Sequence, residues 1–288
     1  MSSLNHAQVI GYVTQDPEIR QVGENNMVTD LNLEIKTLPN AGGDESRMIT
    51  SFITVTLWRW NAEFAKNYIK KGTQVYVSGR LETDSWEDDK GNKKYKTKMV
   101  GENVILTSPK DGFLPALSMG LPINGGINKA EIVGNITKDP ELKTTTNGNN
   151  VCSFGVATNR VWKNNAGEKQ EKVEFHNIVV WGELAEVVSK HISKGRKVYI
   201  SGRIQTRAWE TPDGQKRTTT EIVADEIKSL GHVLEDSRAA GNDGQSAPVV
   251  AQEAKTEASA ADSKVSEIAS DIPDVNYESE IKPEDLPF

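Results

Sequence analysis

FHNIVVWGELAEVVSKHISKGRKVYISGRIQTRAW, residues 175–209, reads as a strand, a helix and a second strand. Phe175, Ile178, Val180 and Trp181 fall in an apolar run rich in β-branched residues. Leu184, Val187, Val188 and Ile192 then recur at helical spacing up to Gly195, and Val198, Ile200 and Ile204 alternate as a half-buried strand does. Three large rings, Phe175, Trp181 and Trp209, sit among Arg203, Arg207 and several lysines. Rings interleaved with cations suit stacked bases and phosphates.

The stretch occurs twice. Residues 52–86 read FITVTLWRWNAEFAKNYIKKGTQVYVSGRLETDSW, and a constant offset of 123 carries Phe52 to Phe175, Trp58 to Trp181, Gly72 to Gly195, Gly79 to Gly202 and Trp86 to Trp209. It also carries Asn5 to Asn128, Gly11 to Gly134, and the turn Asp16-Pro17-Glu18 to Asp139-Pro140-Glu141, with 29 of roughly 102 aligned positions identical. That period is too long for a solenoid and long enough for a domain with its own core.

Working outward, each copy shows the same order. In the first, residues 4–14 form a strand that ends at the Asp-Pro turn, and Val28 to Ile35 form a second strand. A polar insertion, Pro39 to Ser46, tips a long hairpin that returns along Ile49 to Trp58. A short helix over Asn61 to Lys70, with Phe64, Tyr68 and Ile69 inward, stops at Gly72. Val75 to Thr83 and Tyr95 to Leu106 then flank a second hairpin turn at Asp88 to Asn92. In the second copy the hairpins run over Thr158 to Glu171 and Thr211 to Gln215. Five strands with a helix between the third and fourth is the order of an OB-fold, a small Greek-key barrel whose open groove binds oligonucleotides. The expected fold is therefore all-β: two tandem OB-folds, each with one helix, followed by a tail. The domains are expected at 1–107 and 127–231, with 108–126 as a linker and 232–288 as a disordered acidic tail.

Charge supports that division. The chain carries a net −7, but residues 232–288 hold 13 Asp/Glu against 4 Lys/Arg, which leaves residues 1–231 weakly basic. Cys152 stands alone, which excludes an internal disulfide and any multi-cysteine metal site. His6, His176, His191 and His232 have no ligand-like spacing, so no metal and no cofactor is expected. No leader-like start and no run of 18 apolar residues occurs, so a soluble cytoplasmic protein without a membrane partner is expected. Neither a phosphate loop nor a catalytic constellation is present, which points away from an enzyme.

Candidate stacking rings are Trp162, Phe175, Trp181 and Trp209 in the second copy and Phe52, Trp58, Trp60 and Trp86 in the first. Some of these rings could equally fill a barrel core. Trp162, however, lies in the polar segment RVWKNN, where core is scarce. The cations best placed to neutralise phosphates are Arg160, Lys163, Arg203 and Arg207, with Arg59 and Arg80 in the first copy. At the far end, Asp285-Leu286-Pro287-Phe288 closes an acidic segment with apolar residues, which suits docking in a basic-rimmed apolar pocket.

These motifs resemble those of the bacterial single-stranded DNA-binding proteins. INKAEIVGNITKDPEL, residues 175–209 as quoted above, and DGQKRTTTEIV match the family pattern nearly throughout. The resemblance implies that Trp162, Phe175, Trp181 and Trp209 stack bases, with Phe175 where Trp is common and Trp181 where Phe is common. It places His176 where the family often has a histidine near the subunit interface. It implies that Asp285 to Phe288 docks replication, recombination and repair proteins, and that a tandem chain forms a homodimer with four OB-folds. The first copy departs from the pattern: Pro39 stands for Trp162, Ile53 for His176, and Trp60 is extra. Coating of single-stranded DNA with little sequence preference is thus the expected function. The alternative is an OB-fold scaffold or primosome-type accessory whose DNA contact is secondary.

Overall fold

The computed structural model describes residues 3–23, 26–37, 48–87, 93–107, 126–164, 166–210 and 216–230. The tip of the first long hairpin, most of the linker, and the tail with Asp285 to Phe288 lie outside these residues, as do both second-hairpin turns.

The first half contains β1 (Leu4–Val13), β2 (Ile19–Val22), β3 (Asn26–Thr37), β4 (Ile49–Trp58), α1 (Trp60–Tyr68), β5 (Gln74–Glu87) and β6 (Lys93–Leu106). The second contains β7 (Asn128–Ile136), β8 (Glu141–Thr144), β9 (Asn150–Lys163), β10 (Lys169–Trp181), α2 (Gly182–His191), β11 (Lys197–Glu210) and β12 (Lys216–Leu230). The helix between third and fourth long strands stands where the sequence order puts it. Each half adds a short strand, β2 or β8, that the sequence does not signal. Four residues, with Val22 of β2 and Leu142 of β8 exposed, carry no readable alternation.

The sequence repeat reappears in the strand registers. Ala157 faces Phe175 as Glu34 faces Phe52, and the parallel pair Val55/Met99 recurs as Ile178/Ile222. Both β5 and β11 carry a bulge at the repeated Ser-Gly, Ser78/Gly79 and Ser201/Gly202. A Cβ on Gly79 would lie 2.0 Å from the Val100 carbonyl oxygen, and one on Gly202 would lie 2.2 Å from that of Val223. No side chain fits there, so the repeated glycines are structural. Additional pairings β1–β3 and β7–β9 close each barrel.

Two other repeated motifs are hydrogen-bonding devices. Asn5 donates its side-chain amide to the Leu81 carbonyl at 2.8 Å and accepts the Leu81 N–H at 3.0 Å; Asn128 does the same with Ile204 at 2.8 and 2.9 Å. Asp16 and Asp139, from the Asp-Pro-Glu turns, accept the backbone N–H groups of Lys71 and Lys194 at 2.8 and 2.7 Å. Those N–H groups lie beside Gly72 and Gly195, whose φ angles of 86° and 82° carry the chain from helix to strand. The N–H groups of the turn that follows each helix are thereby satisfied.

Each barrel core is built from the alternate residues the sequence pattern marks, such as Leu31, Leu33, Val55 and Leu57 in the first and Val156, Ile178, Val180 and Ile204 in the second. The helices correct the expected inward face in part: Ile69 is buried and Phe64 packs against the core as expected, whereas Tyr68 does not. Ala62 and Ala65 make the barrel contact in α1, and Ala185 and Val188 make it in α2. Tyr68 is 61% and Val187 52% exposed. A helix resting close on a barrel end admits small side chains at the contact. Trp60 and Tyr68 face away from the barrel, while Phe64 packs half-buried against the core.

The halves are joined without a break in hydrogen bonding. β1 and β7 pair antiparallel from Leu4↔Val133 to Val9↔Asn128, centred on Ala7↔Ala130, which are both fully buried. The strand order, β2-β3-β4-β6-β5-β1-β7-β11-β12-β10-β9-β8, is a palindrome under the repeat. The two barrels are thus related by a pseudo-twofold through the alanine pair.

Candidate nucleic-acid interface

In the second barrel the outer face of β10 carries Phe175, Asn177, Val179 and Trp181, since side chains alternate and His176, Ile178 and Val180 point to the core. Phe175 and Trp181 are half-buried. Trp181 is not a free-standing platform: its ring packs against Val151 and Val179, which fixes its orientation. Across the ladder, Ser153, Gly155 and Ala157 pair with Val179, Asn177 and Phe175. The floor beside the rings is therefore small and uncharged.

Trp162 lies near the end of β9, half-buried, with the Arg160 guanidinium over its ring at 4.8 Å. Such a cation stiffens the ring and places a positive charge beside it. Lys163 is exposed next to it. By alternation Arg160 and Trp162 stand on the opposite side of the hairpin from Phe175. Arg203 and Arg207 share one face of β11; the backbone of Trp209, further along the strand, pairs with Arg217. Arg203 is engaged with Asp225 at 3.5 Å, its Nε is buried without a hydrogen-bond partner, and burial lowers the guanidinium pKa.

In the first barrel Phe52 is 57%, Trp58 39%, Trp86 49% and Trp60 71% exposed. Phe52 and Trp58 share the outer face of β4, whereas Trp60 belongs to α1. Their floor differs: Asp30, Asn32 and Glu34 pair with Thr56, Thr54 and Phe52. Asp30 and Asn32 accept hydrogen bonds from Thr56 and Thr54 at 2.7 and 3.0 Å, and the carboxylates pair with Arg20 and Lys36. Arg80 is held by Glu102 at 2.8 Å and Glu82 at 3.3 Å. Arg59 takes φ 51°, where the second barrel has Gly182 at 62°. A non-glycine residue in that region is strained.

Sequence reading missed the contrast in the floors. Asp30 and Glu34 look like ordinary polar positions until the register sets them beside Phe52. Lys172 bridges the barrels, 2.8 Å from Glu82 and 2.7 Å from Glu174. His176 is buried, 2.9 Å from the Thr158 hydroxyl, and burial pushes its pKa down to about 4. Burial likewise raises the Cys152 thiol to about 11, so it packs as a core residue. Among the described residues no helix is long and apolar enough to cross a membrane.

Comparison with known proteins gives these surfaces a context. The model of the single-strand binding protein family matches residues 4–107 and again 127–230. A single-stranded DNA-binding protein of Deinococcus radiodurans is 30% identical over 83% of this chain and 77% of its own length. The single-stranded DNA-binding protein 1 of Chlorobaculum tepidum is 43% identical over 37% of this chain and 66% of its own. The crystal structure of the wild-type single-stranded DNA binding protein from Thermus aquaticus superposes with a TM-score of 0.61 at 26% identity, covering 85% of this chain and 98% of that one. With both halves matched and the tandem arrangement shared, the chain belongs to the single-strand binding protein family.

Proposed function

We propose that this chain binds and protects single-stranded DNA with little sequence preference, in replication, recombination and repair, acting by binding rather than by catalysis. The observation that carries the reading is the outer face of β9–β10. There Phe175 and the oriented Trp181 flank a floor of Ser153, Gly155 and Ala157 that admits a base and opposes no phosphate with a carboxylate. Aromatic platforms accept any base, because every base has a π-face.

The second barrel, residues 127–231, is the stronger groove, with Trp162, Trp209, Arg160, Lys163, Arg203 and Arg207 extending it from the hairpins. The first barrel, residues 1–107, adds Phe52, Trp58, Trp60, Trp86, Arg59 and Arg80. Residues 108–126 link the two. The segment 232–288 recruits replication and repair proteins through Asp285 to Phe288. Two chains assemble into a cytoplasmic homodimer with four barrels, in keeping with the tandem branch of the family. Titration with oligo-dT is expected to quench tryptophan emission, with an affinity that falls as salt rises through counterion release. An unchanged emission and no bound complex at low salt would overturn the reading.

A further inference from the structure

A crevice of about 270 Å³ lies between the barrels, just below the ~300–1,000 Å³ range of ligand pockets. The first barrel lines it with Tyr95 and Thr97 and the second with Glu174, Phe175, Asn177 and Thr218. One ring is thus shared with the proposed DNA face, and the rest of the lining is mostly hydroxyl, with the Asn177 amide, the Glu174 carboxylate, the Lys172 ammonium and Val173.

The charges inside decide what fits. Lys172 is held between Glu82 and Glu174, two carboxylates to one ammonium. Burial alone would raise the Glu82 pKa, but the hydrogen bond and charge of Lys172, with Arg80 and Lys98, hold it below the usual range. The charged groups of the lining, Lys172 and Glu174, neutralise each other, so a phosphate entering the crevice would find its one ammonium already paired. A neutral planar group with N–H donors would be favoured: Glu174 accepts the Thr83 N–H at 3.1 Å and Lys172 at 2.7 Å, and each carboxylate oxygen has a second lone pair. The Asn177 amide offers one acceptor and two donors toward a base edge.

We infer that this crevice binds a single nucleobase bearing an exocyclic amine, cytosine before thymine, and so carries a DNA strand from one barrel to the other. The inference rests on the single-stranded DNA reading above. Under the pseudo-twofold, Glu82, Lys172 and Glu174 correspond to Gln205, Ile49 and Ser51, so this chemistry occurs once per chain.

The test compares oligo-dC and oligo-dT of equal length on the full chain at fixed salt. Thr218→Leu and Ser85→Leu, on the exposed rim, fill the crevice; each is expected to weaken oligo-dC by about fivefold and oligo-dT by less than about twofold. A ligand-side change needs no variant: N4,N4-dimethylcytosine in the oligonucleotide removes the amine donors and is expected to cost the wild-type protein about fivefold relative to cytosine. Equal losses for both oligomers in the variants, or equal affinity for cytosine and its dimethyl analogue, would overturn the inference while leaving single-strand binding intact. Failure to bind either oligomer would instead overturn the reading it rests on.

Discussion

The two barrels share a backbone and differ in what they set beside the same rings. Around Phe175 and Trp181 the facing strand presents Ser153, Gly155 and Ala157; around Phe52 and Trp58 it presents Asp30, Asn32 and Glu34. The first barrel leaves its rings more exposed, yet the hydrogen bonds to Thr54 and Thr56 and the pairs with Arg20 and Lys36 occupy the surface a strand would cross. On the proposed reading, exposed aromatic area is a poor guide to binding strength. By the same reading a ring needs an uncharged strand beside it, which across the ladder the second barrel has and the first does not.

The largest effect expected is on affinity. Phe175→Ala with Trp181→Ala should weaken oligo-dT binding by a few hundredfold, from about 1–3 kcal/mol per stacked base, whereas Phe52→Ala with Trp58→Ala should cost under about tenfold. Fluorescence anisotropy at constant salt measures both; equal losses would erase the proposed ranking of the barrels.

Next is acid stability, which separates the barrels by one buried pair. His176 and Thr158 correspond to Ile53 and Ile35 in the first barrel. Because burial holds folded His176 near 4, below the ordinary ~6.5, the unfolded chain takes up the proton first. Stability of the second barrel should be complete above pH ~6.5, fall by about 3 kcal/mol as pH drops toward 4, and level off below. Urea unfolding at stepped pH should show this loss, and His176→Ile with Thr158→Ile should flatten it.

Much of this comparison was legible before the fold was known. The 123-residue offset, the barrel order and the rings of residues 175–209 all follow from periodicity, which reports burial directly. The Asp-Pro-Glu turns and repeated asparagines were visible as matches, but their role as acceptors for Lys71, Lys194, Leu81 and Ile204 was not. Pairing across long loops has no local signature. For the same reason the β1–β7 junction, the Lys172 bridge and the acidic floor could not be read, because each depends on which residues a register brings opposite one another. Tyr68 was misplaced because hydrophobicity suggests burial, while the close approach of α1 favours Ala62 and Ala65.

Two smaller effects sharpen the comparison. Converting the first floor to the second, with Asp30→Ser, Asn32→Gly and Glu34→Ala in the Phe175→Ala/Trp181→Ala background, should raise oligo-dT affinity by about fivefold. The salt slope should steepen, as Arg20 and Lys36 become available to phosphates. A loss of affinity would show that the floor supports the rings rather than obstructing them. Arg59→Gly should raise stability by about 1 kcal/mol in thermal unfolding, since glycine removes the cost of φ 51°. It should also lower affinity about twofold if the strained turn exists to present Arg59 and Trp60 to DNA; unchanged affinity would make the strain incidental.

The ranking of the two barrels is tested most directly by hydrogen–deuterium exchange on the full chain with an oligo-dT of about ten nucleotides, within the ~4–16 nucleotides a single barrel covers. Protection concentrated on β9–β10, around Phe175 and Trp181, is the predicted result. Protection centred on β3–β4, around Phe52 and Trp58, or shared equally between the barrels, would contradict it.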